Sequence, residues 1–162
     1  MATGLVASAT DLRSRRIPNV LTLGSSVAAV AFWIWSSGLA GVATSVGGWA
    51  VGCALFLPWF VLGGMGAGDV KLLAALGAWL GPADAAWLAL YAGIAGGVFG
   101  LLVALATGYM GQSVRNLWGL LMFWRVAGVR PLPELTLATA KGPRLPYAIP
   151  ITAGVVVVLW LR

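Results

Sequence analysis

The sequence has 162 residues, 60% of them hydrophobic and only 9% charged, with a mean hydropathy of +0.96. Ordinary soluble domains carry roughly 25% charged residues, so this composition excludes one and indicates an integral membrane protein. There is no histidine, one cysteine and four acidic residues, which excludes zinc centres and His-dependent triads, and the net charge of +6 belongs to membrane topology rather than to nucleic acid.

A membrane-spanning helix takes about 20 residues, so the length predicts one all-α domain over residues 1–162 with about six transmembrane segments. Residues 1–10 are apolar but would make a helix of only about 15 Å, half the hydrocarbon thickness. Their positive charges follow the apolar part instead of preceding it, unlike a secretory signal. After the polar cluster 11–19, a second apolar run covers about 20–40, and a Gly/Ser/Thr-containing break is expected at 41–48. The third run, 49–62, holds Cys53, which has no second thiol to pair with and reads as a small core residue. A glycine-rich connection, 63–69, leads to the fourth run, 70–80, which Gly81-Pro82 stops.

The fifth run, 85 to about 107, is rich in small residues that permit close helix contacts. A long connection to Arg144 follows, with Pro131, Pro133 and Pro143. Within it the apolar stretch 117–124, bracketed by Arg115 and Arg125, is expected to lie at the membrane interface. The sixth run is 145–161. Trp33, Trp35, Trp118 and Trp124 read as interface anchors. Placing the connections on alternate sides puts Arg13, Arg15, Arg16, Lys71, Arg115, Arg125, Arg130, Lys141 and Arg144 together and leaves Arg162 alone opposite. By the positive-inside rule the crowded side is cytoplasmic, and both termini face outward.

That topology sorts the carboxylates. Asp84 falls in an outer turn and Glu134 in the long cytoplasmic connection, whereas Asp11 and Asp69 both sit at cytoplasmic ends of apolar segments. Each has a local structural explanation: Asp11 could pair with Arg15 four residues on, and Asp69 could cap a helix with Lys71 snorkelling beside it. As a pair they allow more. Two neighbouring carboxylates cannot both ionise easily, so one keeps its proton while the other stays charged, an acid and a base for peptide hydrolysis without metal or cofactor. Gly66 and Gly68 beside Asp69 admit the close approach of an extended chain.

The first connection, Asp11-Leu12-Arg13-Ser14-Arg15-Arg16-Ile17-Pro18-Asn19, resembles the first-aspartate motif of the type IV prepilin peptidases, with Ile-Pro-Asn at the family's spacing. Gly66-Ala67-Gly68-Asp69-Val70-Lys71-Leu72 resembles their GxGD motif and its following lysine, and the likeness continues to Gly81. Leu145-Pro146-Tyr147-Ala148-Ile149-Pro150 is similar, more loosely, to the segment that opens their last helix.

The resemblance implies a membrane aspartic endopeptidase of the prokaryotic inner membrane that removes short basic leaders from prepilins or pseudopilins at the cytoplasmic face. Asp11 and Asp69 would be its catalytic pair, with Pro18, Asn19, Gly66, Gly68 and Lys71 shaping the site or binding substrate. Its partners would be that substrate and membrane lipid, not nucleic acid. The larger bifunctional members carry an insertion with paired Cys-x-x-Cys motifs and also methylate. That insertion is missing here, so the chain resembles the compact peptidase-only form similar to those of Flp/Tad pili. Lys71 could receive an acidic substrate residue near the cleavage point, the alternative being a topology-setting lysine beside Asp69.

Two alternatives remain at this level. One is a Ser/Lys peptidase using Lys71 with Ser8, Ser14 or Ser113. The other is a non-enzymatic scaffold or a small ion- or proton-coupled transporter built on the same aspartates.

Overall fold

The structure is a computed structural model that describes residues 1–132 and 145–161. Pro133, Glu134, Lys141, Pro143, Arg144 and Arg162, and the sides assigned to them, lie outside the described residues. The described residues form six helices and no strand: α1 (Ala2–Ser14), α2 (Asn19–Val61), α3 (Ala67–Leu80), α4 (Pro82–Ala106), α5 (Met110–Ala127) and α6 (Ala148–Leu161). Two of them, α2 and α4, are long and apolar enough to cross a membrane.

Local chemistry sets the boundaries. The first helix ends at Arg15, which adopts a left-handed conformation (φ 51°). Pro18 then disfavours helix at Ile17 and takes the extended conformation that precedes α2. Gly63 (φ 77°) separates α2 from α3, and Gly81 (φ 84°) allows the abrupt passage from α3 into Pro82, a proline-first helix start.

Helix α2 is a hairpin of two arms. Gly38 has non-helical angles (φ 62°, ψ −144°) and joins residues 19–37 to residues 39–61. Along the first arm, bonds to α3 run from Asn19 with Lys71 to Trp33 with the Trp79 carbonyl. Along the second they start from Ser45 with the Ala78 carbonyl, and Gly52 lies against Leu73. The first arm therefore follows α3 and the second opposes it. At a rise of 1.5 Å per residue the arms are about 28 and 35 Å long, each close to a hydrocarbon thickness of about 30 Å.

This corrects the expected connection at 41–48, because the reversal takes a single glycine and those residues are helical. Their small side chains serve contact instead. A Cβ at Gly48 would collide with the Gly77 carbonyl, and one at Gly77 with the Gly48 carbonyl, so the helices touch backbone to backbone. Lipid is as apolar as leucine, so helix association in a bilayer draws on such van der Waals contact rather than on burial from water.

Helix α3 is the central element: Leu72 to Ala78 are all buried, packed among the α2 arms, α4 and α6. Leu88 and Ala92 of α4 and Ile151, Val155 and Val158 of α6 complete the core. Cys53 packs partly buried against it. The outer faces stay apolar, with Trp35 86% and Leu39 89% exposed, as suits a lipid surround. The short first helix is tied in by polar contacts, Thr3 with Ser25 and Ser8 with Thr152. Residues 117–124 belong to α5, a helix with no buried residue.

Candidate active site

Both sequence motifs arrive at one end of the bundle. That end gathers the last turn of α1, the entry to α2, the loop from Gly63 to Gly66, the first turn of α3 and the entry to α6. Asp84 lies past the other end of α3, in the first turn of α4.

Asp69 is the third residue of α3. Its backbone N–H donates to the Gly66 carbonyl (3.1 Å), and its Oδ2 accepts the Gly66 N–H (3.2 Å). A reciprocal pair of this kind fixes a helix start and holds the carboxylate over the first turn. A side chain at Gly66 would crowd the Asp69 Oδ2, with a Cβ 3.1 Å away. Gly68 lies under Ile17, whose side chain would come within 3.3 Å of a Cβ there. The Ile17-Pro18-Asn19 segment thus passes directly over the glycine loop. Lys71, which is exposed, donates to the Asn19 Oδ1 at 3.0 Å. Gly66, Gly68, Asp69, Asn19 and Lys71 consequently fall in one neighbourhood, in which the Lys71–Asn19 bond links α2 to α3 and Pro18 lies between Ile17 and Asn19 in the crossing segment.

Asp11 is buried, 8% exposed, and its Oδ2 accepts the N–H of Ala148 at 3.2 Å. Ala148 is fully buried and is held from its other side too, since its carbonyl accepts from the hydroxyls of Thr152 (2.8 Å) and Ser8 (3.1 Å). The first turn of α6 is therefore clasped by α1, which orients the Asp11 carboxyl. Sequence reasoning missed this clasp. Its signal was the Leu145–Pro150 motif, whose proline-spaced helix entry leaves the Ala148 N–H free of an intrahelical partner.

The two carboxyl groups feel each other. Burial and, next, the charge of Asp11 push the Asp69 carboxyl up from its ordinary value of 3.8 to about 7, against the lowering effect of the Gly66 N–H. Asp69 stands outside both long apolar helices, in the first turn of α3. Tyr147, the residue before Ala148, is shifted up by burial and then by the charge of Asp69, which places its hydroxyl in the same electrostatic neighbourhood. In the sequence Tyr147 is one member of the Leu145–Pro150 motif; in the structure it also lines the cavity that borders the glycine loop.

The serine candidates go elsewhere. Ser8 engages Ala148 and Thr152, while Ser14 donates to Thr10 and Ser113 to Tyr109 within their own helices. With Lys71 on Asn19, no Ser–Lys dyad forms among the described residues.

The profile of the type IV leader peptidase family matches residues 1–101, which include α1, α2, α3 and both aspartates. Two curated relatives, prepilin leader peptidase/N-methyltransferases from two strains of Burkholderia pseudomallei, are each 38% identical over 104 residues. That match covers 60% of this chain and 34% of each relative, so the chain spans about a third of the length of the proteins it matches. No solved structure matches.

Proposed function

Because this chain belongs to the type IV leader peptidase family, we propose that it is a membrane aspartic endopeptidase that cuts the short basic leader from prepilin-like proteins, with Asp11 and Asp69 as its catalytic pair. The observation that carries this reading is the convergence of the two carboxyls, one held by the Gly66 N–H and the other by the Ala148 N–H, with Asp69 raised to about 7 beside Asp11. A carboxyl raised in this way keeps its proton near neutrality and can serve as the acid of the pair.

In the mechanism, protonated Asp69 hydrogen-bonds the scissile carbonyl oxygen while ionised Asp11 takes a proton from a water molecule. The resulting hydroxide adds to the carbonyl carbon and the oxygen receives the Asp69 proton. Collapse of the tetrahedral species breaks the C–N bond, returns the hydroxyl proton to Asp69 and delivers the Asp11 proton to the leaving amine, so both groups end as they began. The nine basic residues grouped by the sequence support a cytoplasmic site for this chemistry.

The test is co-expression with a type IV prepilin. Asp11→Asn and Asp69→Asn, inserted at wild-type levels, abolish the mobility shift of leader removal. Normal processing by both variants would overturn the assignment and favour a scaffold or transporter.

A further inference from the structure

Helix α5 buries no residue, yet both of its ends are fixed. Where α4 stops, the Tyr109 N–H donates to the Ala104 carbonyl (2.9 Å) and the Gly108 N–H to the Leu105 carbonyl (3.3 Å), with Gly108 at φ 69°. This is a Schellman closure, in which a left-handed glycine turns the chain off the axis of the helix it ends. At the far end Gly128 (φ 77°) stops α5, and the Trp124 indole N–H donates to the Arg130 carbonyl (2.9 Å), which folds the following chain back against the last turn. The helix belongs to the end of the bundle that holds the two aspartates. From Gly81, α4 runs toward that end, meeting Tyr147 at Gly96 and Leu145 at Gly100, and α6 then starts beside Asp11.

The surface of α5 is divided lengthwise. At 3.6 residues per turn Val114, Leu117, Trp118 and Leu121 form one stripe, and all four are exposed. Nearly opposite them lies a polar stripe joined by its own hydrogen bonds, Arg115 Nη2 to Gln112 Oε1 (2.9 Å) and Gln112 Nε2 to Asn116 Oδ1 (2.8 Å). Helices α2 and α4 are long and apolar enough to cross a membrane, and α5 is not among them. A helix divided in this way lies in the membrane plane, its apolar stripe at the acyl boundary and its polar stripe toward water. Its charge has one sign. Arg115, Arg125 and Arg130 are exposed, and the sequence from 85 to 133 has no aspartate or glutamate.

We propose that α5 is a binding surface for anionic phospholipid: it lies flat in the leaflet at the aspartate end, and Arg115, Arg125 and Arg130 hold negatively charged headgroups there. The apolar stripe alone accounts for a position at the interface; the arginines add a choice of headgroup, because the planar guanidinium fork matches phosphate oxygens. Arg115 flanks the polar stripe at headgroup depth. Arg125 stands in the last turn, where a long apolar stem lets its charge reach the same layer, and the Trp124 bond brings the Arg130 backbone to that turn. The competing occupant of the stripe is another protein. The leaflet is favoured because it supplies an apolar layer and adjoining negative charge together, which is what the stripe and the three arginines require in common. This surface does not depend on the peptidase reading.

The test uses the full chain reconstituted in phosphatidylcholine vesicles. On a Cys53→Ala background, Trp118→Cys on the exposed stripe carries a fluorophore, and trace doxyl-labelled phosphatidylglycerol or phosphatidylcholine is the quencher. An arginine near the surface enriches an anionic lipid about 5-fold, so labelled phosphatidylglycerol quenches at least about 5-fold more strongly than labelled phosphatidylcholine. Arg115→Gln/Arg125→Gln/Arg130→Gln, all at exposed positions, brings the two quenchers level while both still quench.

Equal quenching in the parent chain overturns the anionic-lipid surface. A fluorophore that neither lipid reaches overturns it as well: blue-shifted emission would then mark a protein partner on the stripe, and water-like emission a helix clear of the membrane. The ratio is the same in the Asp69→Asn chain, whose cleavage or failure to cleave bears on the peptidase reading alone.

Discussion

The two ends of α3 use the same amino acid for opposite purposes. Toward its C-terminus, Gly77 meets Gly48 so closely that neither position tolerates a Cβ, and the neighbouring Ser45 and Trp79 side chains are bonded across the seam, to the Ala78 carbonyl and to Ser25. At its N-terminus, Gly66 and Gly68 admit a neighbouring chain segment and a carboxyl instead, and the packing opens into a cavity. The closed end secures the frame and the open end leaves a cavity. Stability and chemistry are therefore separable along one 14-residue helix, and substitutions at the two ends should fail in different ways.

The largest effect is expected at the open end. Either Asp→Asn change lowers cleavage by at least about 100-fold, the lower range for loss of a general acid or base, while the melting temperature in detergent stays near wild type. Next, Gly77→Val or Gly48→Val at the closed end overpacks the seam and destabilises the bundle by about 1–3 kcal/mol, seen as a lowered Tm. The specific activity of the molecules that remain folded is retained. If the seam variants lost activity without losing Tm, the two ends would be one functional unit and the comparison would break.

A third, graded effect is in pH. Because Asp69 retains its proton up to about 7, well above the usual carboxylate range, its acid role is present below that value and declines as pH rises through it. kcat/KM should fall on the alkaline side with a midpoint near 7. The same raised value means that ionising Asp69 costs the fold, so its contribution to stability declines as pH rises from about 3.8 toward 7. Seam variants should leave the midpoint of activity where it is, which sharpens the separation. The smallest effect belongs to Lys71→Ala. Its ammonium bonds Asn19 at an exposed position, so the loss is at most about 1.5 kcal/mol in stability, and the ratio of cleavage of acidic and neutralised prepilins does not change. A changed ratio would instead make Lys71 a receptor for the acidic substrate residue.

How much of this was legible beforehand differs between local and distant features. The helical class, the apolar runs and the clustering of Asp11 and Asp69 follow from hydropathy and from the two motifs, because those depend on local composition and spacing. The position of the α2 reversal did not. A run of Gly, Ser and Thr at 41–48 reads as a loop when chain chemistry alone is considered, yet in a bilayer those residues are what allow two helices to touch, and only the partner Gly77 makes that evident. The Ala148 clasp and the cavity stayed hidden for the same reason, since each is assembled from segments far apart in the chain.

That distance also imposes an order in time. The Asp11 carboxyl and the Ala148 N–H it accepts are 137 residues apart. A ribosome adding about 5–20 residues per second needs roughly 7–27 s to cover that interval. Through all of it the first helix is already made, Asp69 and its loop follow midway, and the clasp that orients Asp11 still lacks its partner. The aspartate synthesised first is thus the last to be set in place, and a nascent chain carries both acids well before it carries them in their finished geometry.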